Sequence, residues 1–293
     1  GGWGAFADNK NLSVVVIPDN VTSIGYEAFS GCTSLKTIVF GANVTTLDRG
    51  VLRGCTSLTE VSLPKKLTII PHSCFVNCPA LSKVILPEGL TTIQSYAFEK
   101  CSSLQTIQLP STIRVMTQAF AGCTGLVEIE IPEGVSILDN TFIDCPNLSK
   151  VTLPSSLTTI GTQAFRRCSN LVSLHIPSGV TNIGSSAFAE CIALSNIVLP
   201  SGLTTLGDYA FQDCRALSKI VLPNKLTSVP NYAFVNCQSL ADVTLPVGLK
   251  SIGSSAFSGC GSLNTIQLPQ GLTSIGEHAF SSCDGLTSLT IPS

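Results

Sequence analysis

Thirteen cysteines and three histidines are the residues of this 293-residue chain best equipped for chemistry. A thiol can ligate a soft metal, close a disulfide or attack as a thiolate. An imidazole can ligate a metal or relay a proton. Their spacing decides between these uses. Cys32, Cys55, Cys78 and Cys101 stand 23 residues apart; Cys123 and Cys145 follow at steps of 22. Cys168, Cys191, Cys214, Cys237, Cys260 and Cys283 resume the step of 23. Only Cys74, four residues before Cys78, departs from this register. His72, His175 and His278 fall in widely separated repeats, which predicts exposed surface histidines and no shared metal site. The carboxylates are scattered, and no nucleophile elbow, phosphate loop or zinc spacing is present. The reading is a protein that is not an enzyme, with no cofactor and no metal. An odd number of cysteines cannot pair fully, and twelve share one register, so they are read as free thiols in a buried column. Asn9 holds that slot in the first repeat, which predicts that the position also hydrogen-bonds a turn backbone.

A period of 22 to 23 residues means one short unit stacked many times. Nine positions recur, as in Leu81, Val84, Leu86, Pro87, Leu90, Ile93, Ala97, Phe98 and Cys101, and again in Leu240, Val243, Leu245, Pro246, Leu249, Ile252, Ala256, Phe257 and Cys260. Alternation over Val84-Ile85-Leu86 marks a strand, and the proline that follows ends it by removing a ladder donor. The segment Leu90-Thr91-Thr92-Ile93 suits a second short extended piece. Gly25, Gly161, Gly184, Gly207, Gly253 and Gly276 suggest a turn with positive φ. Apolar residues at i, i+1 and i+4 in Ala-Phe-x-x-Cys suggest one or two helical turns. The phenylalanine-type position occurs thirteen times, from Phe6 to Phe280, so about thirteen repeats with parallel strands are expected. Two adjacent repeats lose one residue, at Met116-Thr117-Gln118-Ala119 and Leu138-Asp139-Asn140-Thr141.

The unbroken repeat predicts a single domain over 1–293. Charged residues make up 12% of the chain, against about 25% in ordinary globular proteins, because most positions are core or turn. A net charge of −2 gives no electrostatic case for nucleic acid or an anionic membrane. No apolar run approaches the roughly 20 residues of a membrane-spanning helix, and no signal peptide is visible. The motif Gly2-Trp3-Gly4-Ala5-Phe6 starts inside a repeat and Thr290-Ile291-Pro292 ends just after a strand, so the chain is expected to be a piece of a longer protein.

Candidate contacts therefore lie on the outward strand positions. One column contains Glu60, Lys83, Glu128, Lys150, Lys219 and Asp242, and the other contains Glu130 and His175. Glu60 with Lys83, Glu128 with Lys150 and Lys219 with Asp242 are opposite charges in consecutive repeats. Each pair reads either as ladder pairing or as a ligand contact. Glu130 has no opposite charge beside it in its column. Glu128, Glu130, Lys150 and His175 form the most polar stretch. Tyr209 and Tyr232 recur at one position on the turn side and mark the alternative contact.

The recurring pattern resembles the bacterial BspA-like, or treponemal-type, leucine-rich repeats, whose signature has the form L-x-x-I-x-L-P-x-x-L-x-x-I-G-x-x-A-F-x-x-C. The match covers essentially the whole chain. Phe40-Gly41 in place of Leu-Pro, and Val51-Leu52 in place of Ala-Phe, are local departures. The resemblance implies a right-handed leucine-rich repeat solenoid, with a parallel β-sheet on one face and short helical turns on the other. It also implies an extracellular or cell-surface location and a protein ligand, such as a host matrix or surface protein. The competing reading is a structural spacer or stalk that presents another domain.

Overall fold

The computed structural model describes residues 4–292. The chain forms two compact units, the first ending at Pro154 and the second beginning at Ser155. Trp3 lies outside the described residues. Both units are built from coils of the 22- to 23-residue repeat. Each regular coil contributes a strand of three residues and then one of two. Among the described residues there are eleven of the shorter strands, so the regular coils number about eleven where thirteen were expected.

Burial follows the sequence alternation. In Glu60–Ser62, Val61 points inward between two exposed neighbours, and Ile129 does the same in Glu128–Glu130. Pairing is parallel and in register from one coil to the next. In the first unit Val14 faces Thr37, Glu60 faces Lys83 and Glu128 faces Lys150. In the second, Ser173 faces Asn196 and Lys219 faces Asp242. The three-residue strands pair two by two. The two-residue strands run on further: Thr159–Ile160, Asn182–Ile183 and Thr205–Leu206 form one ladder, and Ser228–Val229, Ser251–Ile252 and Ser274–Ile275 another. Threonine hydroxyls reinforce this side: Thr91 and Thr204 each donate to a carbonyl of the preceding coil, at 3.1 Å.

The core is a set of columns. Phenylalanine rings of successive coils stack nearly parallel, at centroid distances of 5.2 Å for Phe75–Phe98 and 5.3 Å for Phe188–Phe211. Beside them, all thirteen cysteines are free and buried. Each column thiol with a described bond donates to the carbonyl of the phenylalanine-type residue one coil back: Cys101 to Phe75 at 3.3 Å, Cys191 to Phe165 at 3.0 Å. The Asn9 side chain accepts from the Asn11 N–H at 3.2 Å, in line with the polar duty expected of that slot.

Among the described residues the helical turns that the sequence suggests are absent. The Ala-Phe-x-x-Cys segment is instead a chain of linked tight turns. Ser30 N–H and Cys32 N–H donate three residues back, to Glu27 and Phe29. The intervening N–H groups of Glu27, Phe29 and Gly31 all donate to the next coil, on Arg49, Val51 and Arg53 at 2.7 to 2.9 Å. Such alternation requires left-handed residues, here Glu27 at φ 47° and Gly31 at φ 69°. A left-handed residue at every fourth position stops a right-handed helix, and a bonded ladder between coils takes its place.

The glycines that suggested positive φ have another reason. Gly184, Gly207, Gly253 and Gly276 are not left-handed, but a Cβ at any of them would sit 2.3 to 2.6 Å from backbone of the preceding coil. They permit close approach. Positive φ falls instead on the residue before Ala-Phe and the residue before Cys, including Tyr96, Lys100, Tyr209 and Tyr232.

Candidate functional site

In the first unit the outward faces of Lys83–Ile85, Glu128–Glu130 and Lys150–Thr152 border an open groove of about 1130 Å³. The pleat places Glu128, Glu130 and Lys150 outward, all exposed, while Ile129 is buried beneath them. Lys150 Nζ lies 3.1 Å from Glu128 Oε2, and Lys83 Nζ lies 3.6 Å from Glu60 Oε2. Both are exposed ladder pairs, each contributing no more than about 1 kcal/mol. Glu130 faces Thr152 and has no ion pair among the described residues. Between the two strand pairs, Thr106–Gln108 forms no strand, although its sequence alternates like its neighbours. Thr106–Leu109 makes no backbone hydrogen bond to either flanking coil among the described residues.

The second unit carries the other expected residues. His175 is exposed on its strand, with Val198 opposite. Lys219 and Asp242 form the third expected ladder pair. On the turn side Tyr209 and Tyr232 stack face to face, with centroids 4.6 Å apart and parallel rings. Both residues are left-handed, at φ 59° and 57°, an unusual state for a bulky side chain that the turn ladder imposes.

Two clusters were not legible in the sequence. Arg166 and Arg167 clasp the Glu190 carboxylate at 3.0 and 2.8 Å. Burial pushes that carboxyl up, but hydrogen bonds from Arg167 and Arg166 prevail and hold it below the usual carboxylate range. Arg167 and Glu190 share the position before cysteine, 23 residues apart, and that spacing was the available signal. The second cluster corrects the expectation of three exposed histidines. His72 is half-buried, its Nδ1 lies 2.6 Å from Ser73 Oγ, and its ring meets Tyr96 edge to face at 5.3 Å. Burial, then the nearby Arg49 charge, lower the His72 pKa, so the imidazole stays neutral near pH 7. Ser73 is itself buried, so the pair offers no open nucleophile.

The thiols are chemically quiet. Burial pushes Cys78, Cys123 and Cys191 up to about 12, and Cys74 rises for the same reason. A thiol is the inert form, because the thiolate is both nucleophile and metal ligand. Among the described residues no three His, Cys, Asp or Glu side chains converge as a metal site requires, and no helix is long and apolar enough to cross a membrane. What the outward faces offer is contact: charged pairs, an unshared carboxylate and stacked rings.

Comparison with known proteins agrees with this geometry. The family pattern described as BspA type leucine rich repeat region (6 copies) matches residues 2–118, 112–218 and 204–293. No curated protein sequence matches. Among solved structures, a leucine-rich repeat protein of Bacteroides ovatus is 30% identical, with a TM-score of 0.85, covering 97% of this chain and 80% of its own. One from Eubacterium ventriosum is 26% identical, with a TM-score of 0.68, over 98% of this chain and 80% of its own. A leucine rich cell surface protein of Faecalibacterium prausnitzii is 29% identical, with a TM-score of 0.62, over 94% of this chain and 80% of its own. Repeat, columns and comparisons converge, and the chain belongs to the BspA-type leucine-rich repeat family.

Proposed function

We propose that this chain is a binding module that engages a protein partner through the outward faces of its three-residue strands. The observation that carries the reading is the array itself: every strand presents two outward side chains on a backbone whose buried residues are spent on packing. Repeat folds of this kind commonly use such extended surfaces for binding. The likeness to a Faecalibacterium prausnitzii cell surface protein supports an extracellular or cell-surface setting; the role proposed there is adhesion to host proteins. The rival reading, a spacer that presents another domain, draws on the three self-paired charge ladders, which need no ligand to explain them.

Interferometry against a panel of immobilised extracellular matrix proteins separates the two. A binding module gives saturable, competable binding to at least one of them. A spacer gives none, and its surface tolerates any substitution.

A further inference from the structure

The first-unit groove carries an inference that rests on the binding-module reading and deepens it. At about 1130 Å³ it exceeds the roughly 300–1,000 Å³ of small-molecule pockets, and it is partly open to solvent. It crosses the coils from Lys83 to Lys150 at about 4.8 Å per coil, a span that suits an extended chain segment. Its floor includes Thr106–Leu109, whose backbone polar groups have no partner in the flanking coils among the described residues. Such groups take a hydrogen bond from water or from a ligand.

Charge fixes the kind of segment. Four carboxylates line the groove, Glu88, Glu128, Glu130 and Glu133, against two lysines, Lys83 and Lys150. Both lysines are already engaged, by Glu60 and Glu128. Glu88 and Glu130 are exposed, and no cation pairs with either among the described residues. The groove therefore presents negative potential above a hydrogen-bonding floor. We propose that it docks an extended lysine- or arginine-rich segment of the partner protein, with Glu88 and Glu130 as charge anchors and Thr106–Leu109 supplying hydrogen bonds. A cation that neutralises these two carboxylates disrupts no existing ion pair, which favours a basic segment over an acidic or neutral one.

The test uses the full chain and a labelled peptide of about ten residues that alternates lysine and serine, which places its charges on one face of an extended strand. Fluorescence anisotropy should show saturable binding that weakens as NaCl rises from about 50 mM to about 500 mM. Glu88→Gln with Glu130→Gln should weaken it about tenfold. Glu277→Gln with Asp284→Asn removes the same charge from exposed positions of the second unit and should change it by less than about twofold. All four positions are exposed, and matched melting curves establish that the variants fold. Absence of peptide binding overturns the proposal, as does equal weakening by the two pairs of substitutions, which would mean non-specific attraction. Saturable binding to a matrix protein without any to the peptide removes only this inference; failure of both removes the binding-module reading as well.

Discussion

At the residue scale the side chains best equipped for chemistry turn out to be structural. Column cysteines satisfy carbonyls that a tight turn already uses, as where Phe29 O accepts from both the Cys32 N–H and the Cys55 thiol. Burial keeps the thiol protonated, so the folded protein should resist alkylation at neutral pH and release about thirteen reactive thiols in denaturant, with or without reductant. A large rise on adding reductant would contradict the free column. Glu190 gives a pH-dependent prediction. Its folded pKa lies below the ordinary value, so its contribution is present above the unfolded pKa of about 4.3 and lost as pH falls through the folded value. Denaturant melts should find Glu190→Gln less stable than the parent near about pH 7. The difference should vanish near about pH 2; a difference independent of pH would remove the ion-pair explanation.

At the element scale the strands and columns were legible because strict alternation and a fixed period leave few ways to bury Val61, Phe75 and Cys78 together. The turn was not legible. Apolar spacing of i, i+1 and i+4 fits a helical turn and equally fits linked turns punctuated by left-handed residues. What decides is the ladder to the next coil, a non-local contact. The open segment Thr106–Gln108 was hidden for a related reason, since its own residues read as a strand and only the neighbouring coils show that it is unpaired. The glycines make this element-scale account testable. Gly207→Ala would place a Cβ 2.3 Å from Ser185 N and wedge two coils apart, at a cost of about 1–3 kcal/mol in denaturant melts. Gly248→Ala, where a Cβ would meet nothing within 4 Å, should stay within about 0.5 kcal/mol. Equal effects would refute close approach as the reason for glycine.

At the scale of the whole molecule, the columns make a scaffold whose buried residues carry shape and whose outward strand residues remain available for recognition. The family and the coil were legible from the repeat alone. Of the expected site residues, the structure brings Glu128, Glu130 and Lys150 onto one groove and leaves His175 on a strand of the second unit; Tyr209 and Tyr232 occupy the turn side. Two candidate faces follow, and one measurement decides between them. With the matrix protein that binds best in the panel, the affinity of Glu130→Lys should be compared with that of the Tyr209→Ala, Tyr232→Ala pair. Recognition by the strand face predicts that Glu130→Lys loses more than about 1 kcal/mol of binding while the tyrosine pair leaves it unchanged. Loss confined to the tyrosine pair would place the contact on the turn side and contradict the account.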